Sequence, residues 1–199
     1  MRIGIVSDIH GNIAGLDMAL ERMESVDEVW CPGDAFNQER FSNEVVSRLR
    51  EIEAHYILGN HEEILLSPAG RAAQIRPGVD EDLLEWVRNR PLRVDREVDG
   101  LQIHMFHSTP WEPTGEYLYP HTRTLSRLGE LTADVAIYGH THTQLARKID
   151  GTLVINPGST GFGQDPSNGR RLSYAIFDTA RVEVTFDEFE DPARPAAPR

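Results

Sequence analysis

Over the first third of the chain, short apolar runs alternate with helical spacings. Arg2 to Val6 is a short, largely apolar run without helical period and predicts a buried strand. Ile13, Leu16, Leu20 and Met23 then recur at helical intervals, predicting an amphipathic helix over 13–24. Asp27 to Cys31 reads as a second strand stopped by Pro32-Gly33. Phe41, Val45, Val46 and Leu49 mark a second helix, and Ala54 to Leu58 a third strand. Strand, helix and strand in this order imply a parallel βαβ sheet.

Further along the period changes. Glu62 to Leu66 opens a helix, and Asp80 to Arg88 forms a short one carrying Leu83, Leu84 and Trp86. Val94 to Val98 and Leu101 to Phe106 flank Asp99-Gly100, and Gln144 to Ile149 and Thr152 to Ile155 flank Asp150-Gly151. Both pairs carry a two-residue hairpin signal. His121 to Gly129 is expected to be helical and Asp134 to Tyr138 a buried strand, while Leu172 to Asp178 and Arg181 to Phe186 finish the sheet. The second half therefore reads as mostly antiparallel. The whole is an α/β (α+β) pattern, best satisfied by two facing sheets with helices outside. One domain over 1–189 is expected, with a frayed tail rich in proline and alanine over 190–199.

Five of these apolar runs end on metal-competent side chains. Asp8-Ile9-His10 follows the first, Gly33-Asp34 the second, Gly59-Asn60-His61-Glu62 the third, His107 the run ending at Phe106, and Gly139-His140-Thr141-His142 the run ending at Tyr138. Asp8 and His10, like His140 and His142, are two apart, so locally extended backbone would send each pair to one side. Singly, each motif has a plainer role as a cap, a turn or a hydrogen-bonded histidine. Together they describe one site at one sheet edge. The mixed oxygen and nitrogen donors suit Mn²⁺, Fe²⁺, Zn²⁺, Co²⁺ or Ni²⁺ better than Ca²⁺ or a thiolate site.

Composition narrows the partners. The formal net charge is −12 with a pI near 5.1, which disfavours stable nucleic-acid binding over most of the surface. No apolar stretch reaches the roughly 18 residues of a membrane span. The one cysteine, Cys31, cannot make an internal disulfide, and the first strand begins at the amino terminus with Asp8 and His10 just beyond it. A cytoplasmic protein without a cleaved leader is expected. The glycine-rich stretch 158–163 lacks the lysine of a phosphate-cradling loop. A homo-oligomer is compatible with the sequence.

The run Asp-x-His, Gly-Asp, Gly-Asn-His-Glu, His and Gly-His-x-His, from Asp8 to His142, resembles the calcineurin-like metallophosphoesterases, in particular their small bacterial and archaeal branch. Asn156-Pro157-Gly158-Ser159 resembles a turn of the same branch. The resemblance implies a four-layer α/β/β/α sandwich of two mixed sheets, with a dinuclear site at the strand ends. It implies that Asp8, His10 and His142 hold one divalent ion, that Asn60, His107 and His140 hold a second, and that Asp34 bridges them. Manganese is the leading metal, with iron, zinc, nickel or cobalt as alternatives. A hydroxide between the ions would attack a phosphate ester, and His61 would donate a proton or stabilise the transition state. Glu62 and Asn12 are expected to support or cap rather than ligate.

Two departures bear on substrate. Ala35-Phe36-Asn37-Gln38-Glu39-Arg40 replaces the Asp-Arg-Gly continuation of protein phosphatases and dinucleoside tetraphosphatases, so their phosphate-gripping arginine is missing. Ser108 stands where relatives often have glycine. The missing arginine lowers both of those phosphatase activities, and the resemblance to small relatives that often act on diesters favours a small phosphodiester. The rival readings are a phosphomonoesterase or nucleotide phosphatase on the same site, a protein-binding scaffold like the retromer subunit of this family, and a purely structural metal site. The last fits poorly, because structural zinc sites close a tetrahedral shell. His55 and His104, inside predicted strands, are expected to be structural. The loop from Trp111 through Tyr117 and Tyr119 to His121 could be a substrate wall or ordinary packing.

Overall fold

The computed structural model describes residues 1–23 and 25–194. Two five-stranded sheets face each other. The first contains β1 (Arg2–Ile5), β2 (Glu28–Cys31), β3 (His55–Tyr56), β9 (Leu172–Asp178) and β10 (Glu183–Phe189), in the order β10-β9-β1-β2-β3. The second contains β4 (Arg93–Val98), β5 (Leu101–Phe106), β6 (Val135–Ile137), β7 (Gln144–Ile149) and β8 (Thr152–Pro157), in the order β4-β5-β6-β8-β7. In the first sheet β1, β2 and β3 pair in parallel, while β9 and β10 add antiparallel. Both expected hairpins form, β4 with β5 and β7 with β8. The centre of the second sheet is parallel, β5 with β6 and β6 with β8, which the reading of a mostly antiparallel second half missed. A crossover of 107–134 joins β5 to β6, a length that parallel pairing requires and a hairpin does not.

Alternation along the strands sorts side chains between layers. Ile3, Ile5, Trp30, Ala175 and Phe177 of the first sheet meet Ile103, Met105, Val135, Ile137 and Ile155 of the second in a buried inter-sheet core. Val29, Cys31, Tyr56, Leu172 and Tyr174 point the other way. They pack under α1 (Ile13–Arg22), α2 (Asn43–Glu51) and α5 (Glu81–Arg88), whose Leu16, Val45, Val46, Leu49, Leu83 and Leu84 close that layer. Helix α3 (Asn60–Leu66) and the single turn α4 (Arg71–Gln74) lie in sequence between β3 and α5. On the outer face of the second sheet, Phe106, Ala136, Tyr138 and Val154 pack on Leu118, Leu125 and Leu128.

The helix expected over 121–129 is a 3₁₀ segment at Arg123–Glu130. Leu125 and Leu128 are three residues apart and both buried, which suits a three-residue turn. The expected strand at 54–58 is regular only over His55–Tyr56, and the helix expected from Glu62 begins at Asn60, directly after Gly59. Within the stretch read as a tail, the Asp191 carboxylate accepts from Asn12 Nδ2 at 2.9 Å. Residues 195–199 of that tail lie outside the described residues. No described helix is long and apolar enough to cross a membrane.

Candidate metal centre

All seven residues singled out as ligands, together with His61, gather at one end of the paired sheets. Asp8 and His10 follow β1, Asp34 follows β2, and Asn60 and His61 open α3 after β3. His107 follows β5, and His140 and His142 follow β6. The backbone there is not extended as the two-residue spacing suggested. Asp8, His10, Asp34, His140 and His142 all have left-handed φ, between 50° and 66°. Such φ is uncommon outside glycine and costs of the order of 1–3 kcal/mol per residue, so surrounding bonds must impose it. Several do. His10 N–H donates to Asp34 O at 3.0 Å, His140 N–H to the Asp8 carboxylate at 3.1 Å, and Ser159 Oγ to Asp8 O at 2.7 Å.

Donor atoms converge in overlapping groups. Asp8, His10 and His142 form one, and Asp34, His107 and His140 another; His10, Asp34 and His61 form a third that joins them. His142 Nε2 lies 3.4 Å from Asp8 Oδ1 and 3.0 Å from His10 Nε2. His107 Nε2 lies 2.9 Å from Asn60 Oδ1, 3.1 Å from His140 Nδ1 and 3.3 Å from Asp34 Oδ2.

The outward nitrogens show whether the set fits a metal. His107 Nδ1 meets Pro32 O at 2.7 Å, His142 Nδ1 meets Phe162 O at 2.8 Å, and His140 Nε2 meets Gly115 O at 3.4 Å. A carbonyl only accepts, so each outward nitrogen carries the hydrogen and each neutral ring turns a lone pair inward. His10 Nε2 lies 3.0 Å from His142 Nε2, while its buried Nδ1 has no hydrogen-bond partner, so the His10 ring is satisfied only in part by protein groups. The donor set therefore fits divalent cations.

Electrostatics agree. Burial alone would raise the Asp34 carboxyl, but His107 and its neighbouring histidines hold it far below the usual range. Asp8 is likewise lowered against its burial by His142. Burial would push His107 down, yet Asp34 carries it up to about 9. Burial pushes His10 down to about 4, and His140 falls to about 4 through burial and the nearby His107. The cluster alternates sign: carboxylates held ionised among imidazoles, some protonated and some not.

Supporting residues fix this arrangement. Glu62 is fully buried, and its two oxygens accept N–H groups of Gly59, Asp34 and Ala35 at 2.7, 2.9 and 2.8 Å. Burial, then the Asp34 carboxylate, push it up to about 7 against the Gly59 and Asp34 N–H donors and the nearby His107. Asn12 caps α1 by accepting Gly15 N–H at 2.9 Å. Both take the supporting roles expected of them. Asn156 Nδ2 donates to Gly139 O at 2.7 Å and to Thr141 Oγ1 at 3.1 Å, so the Asn-Pro-Gly-Ser turn braces the His140 loop. His55 and His104 are tied to Arg96 and Arg93, apart from the cluster.

Some contributors were invisible as sequence. Gln38 N–H donates to His61 Nδ1 at 3.0 Å, so the neutral ring carries its hydrogen on Nε2, 3.8 Å from Asp34 Oδ2. Asn37 Nδ2 donates to His10 O at 3.0 Å. The stretch that replaces Asp-Arg-Gly thus positions histidines. Phe162 stands edge-on to His10 and His142, a ring with no periodic pattern to reveal it between Gly161 and Gly163. Ser108 keeps the ligand loop closed by donating its N–H to Pro113 O at 2.7 Å and its hydroxyl to Glu116 O. The aromatic loop divides: Trp111 packs inward under the Arg127 guanidinium, whereas Tyr117 stacks on His140 with ring centres 3.8 Å apart.

Known proteins share this plan. A metallophosphoesterase structure from Sphaerobacter thermophilus superposes with a TM-score of 0.79 at 27% identity, over 96% of this chain and 89% of that one. The phosphodiesterase YfcE of Escherichia coli is 25% identical over 92% of this chain and 91% of its own length. An uncharacterised protein of Methanocaldococcus jannaschii is 25% identical over 94% and 88% respectively. The family model for the calcineurin-like phosphoesterase superfamily domain matches residues 1–181. With this site at the strand ends of its two sheets, the chain belongs to the calcineurin-like phosphoesterase superfamily, in its small bacterial and archaeal branch, a family of metal-dependent phosphoric ester hydrolases.

Proposed function

We propose that this protein is a dinuclear phosphodiesterase of the cytoplasm, hydrolysing small phosphate diesters. The observation that carries the reading is the pair of donor groups meeting at Asp34, with imidazole nitrogens turned inward by carbonyls behind the rings. Asp8, His10 and His142 would hold one ion, Asn60, His107 and His140 the other, and Asp34 both. Manganese suits this carboxylate, amide and imidazole set, with iron, zinc, nickel or cobalt as alternatives. Bound there, two such ions would supply an activated water and neutralise phosphoryl oxygens.

The chain's own residues do the rest. His61 keeps a hydrogen on Nε2 because Gln38 N–H occupies Nδ1, which leaves a donor in the cleft beside Asp34 that would serve the leaving group. Asp34, held ionised, keeps His61 oriented through this ring edge and through the His61 N–H, which it accepts at 3.0 Å. No lysine or arginine is among the described residues lining the cleft, which favours a singly charged diester over a monoester dianion. Buried Cys31 makes no disulfide, in keeping with a reducing compartment.

The test is metal analysis of manganese-reconstituted protein with hydrolysis of bis(p-nitrophenyl) phosphate. Two ions per chain and turnover are expected, with Asp34→Ala and His140→Ala losing at least about a hundredfold in kcat, as expected when transition-state charge stabilisation is removed. Undiminished turnover in either folded variant, or faster cleavage of p-nitrophenyl phosphate than of the diester, overturns the reading.

A further inference from the structure

The cleft into which the donor cluster opens is lined by aromatic rings as well as by the donors, and has a volume of about 310 Å³. On one wall Tyr117 lies on the His140 ring, Tyr119 runs parallel to Tyr117 at 6.0 Å and 11°, and His121 runs parallel to Tyr119 at 5.8 Å and 10°. On the other, Phe162 stands edge-on to His142 and His10 at 5.8 and 6.1 Å. Tyr117, Tyr119 and Phe162 are 51%, 37% and 47% exposed. Rings so exposed contribute little to the core, yet all three turn into the cleft that holds Asp34 and His61. Between them the wall offers a neutral hydrogen-bonding group, the Gln164 amide.

Three properties decide what such a cleft takes. Stacking faces accept any planar aromatic group and tolerate sequence, as base-binding platforms do. A volume near the lower end of the roughly 300–1,000 Å³ range for small-molecule sites admits one nucleotide-sized group. The lining carries no cation to neutralise a chain of phosphates. Arg170 and Arg194 lie in a separate hollow that has Phe162 and Gln164 as shared walls. A longer phosphate chain would have to pass that ring to reach them.

We propose that Tyr117, Tyr119 and Phe162, which line the cleft together, form a clamp for a nucleobase, so that the substrates are phosphodiesters of a single nucleoside rather than dinucleoside polyphosphates. The inference rests on the phosphodiesterase reading above and names the substrate class for that same site.

Two diesters with one leaving group separate the clamp from the chemistry: thymidine 5′-(p-nitrophenyl phosphate) and methyl p-nitrophenyl phosphate, with manganese-loaded protein. The wild-type ratio of kcat/KM, nucleoside over methyl, is expected to be about tenfold or more. Phe162→Ala and Tyr119→Ala should each cut that ratio roughly fivefold or more through KM, while Tyr119→Phe restores it. A calorimetric arm titrates AMP against ribose 5-phosphate. AMP should bind the wild type about tenfold more tightly, and the alanine variants should lose the difference.

Turnover of both diesters with a ratio near one, or a ratio unmoved by both alanine variants, overturns the clamp and leaves the phosphodiesterase reading standing. No turnover of either diester, with an AMP preference that the variants abolish, does the reverse. Equal binding of AMP and ribose 5-phosphate, or a higher kcat/KM for diadenosine tetraphosphate than for the thymidine ester, also overturns the single-nucleoside clamp.

Discussion

His107 shows how much the chemistry of this site depends on a single atom's surroundings. Its Nδ1–H is held by the Pro32 carbonyl, and its Nε2 faces Asp34, Asn60 and His140 within 3.3 Å. Burial works against a charge there, but the Asp34 carboxylate wins and raises His107 to about 9. In metal-free protein near neutral pH the Nε2 therefore carries a proton, at the position a cation would take. Metal entry must expel it, so metal affinity is linked to pH with a definite sign. Below about pH 9 the apparent affinity for manganese should rise with pH by about tenfold per unit for each proton displaced, flattening above that value. Calorimetric titration near pH 7, in buffers of different ionisation enthalpy, should report at least about one proton released per chain. A pH-independent affinity with no proton release would mean that no proton on His107 is displaced by the metal.

At the scale of the element, α3 links two kinds of information that the sequence carries unequally. That Asn60 and His61 matter was legible, because they end an apolar run in a motif with metal chemistry. That Glu62 ties three backbone N–H groups together was not, since those donors come from two strand ends that only the fold brings near. The same reason hides the left-handed φ of Asp8, His10, Asp34, His140 and His142, which neighbours impose rather than residue type. Strand existence read well from alternation. The parallel centre of the second sheet did not, because the crossover after β5 carries no regular α-helix to announce it. Gly59 tests the local argument. Its φ of −101° and ψ of −172° suit any residue, so the need for glycine is one of space. An added Cβ would overlap Asp34 Oδ1, and would lie 2.7 Å from Asp34 N and 2.9 Å from His107 Nδ1. Gly59→Ala should fold with a loss of about 1–3 kcal/mol, read by denaturant unfolding. Manganese affinity should fall roughly 10- to 100-fold as Asp34 and His107 are displaced. Wild-type metal affinity in this variant would show that the two ligand positions can give way freely.

Across the whole molecule, the donors come from both sheets. Asp8, His10, Asp34, Asn60 and His61 follow strands of the first, and His107, His140 and His142 follow strands of the second. At the opposite end of β1, Met1 N meets Asp99 at 2.7 Å and Thr179 at 2.8 Å, joining the β4–β5 hairpin to the end of β9. Between these ends lies the apolar inter-sheet core, which packs the two sheets together. Cations held jointly by both sheets at the Asp34 end would add a second tie between them, and metal bound only to the native state must stabilise the entire chain. At a free metal concentration of about 100 Kd the gain is about 2.7 kcal/mol. For a chain of 199 residues that corresponds to a rise in Tm of roughly 5–11 °C, reversed by chelation. Because the ligands span both sheets, removing one from either side should abolish most of the rise: His10→Ala in the first sheet and His140→Ala in the second. A scanning calorimeter distinguishes this from a site confined to one sheet edge. There, His10→Ala and His140→Ala would differ, one losing the metal-dependent shift and the other keeping it whole.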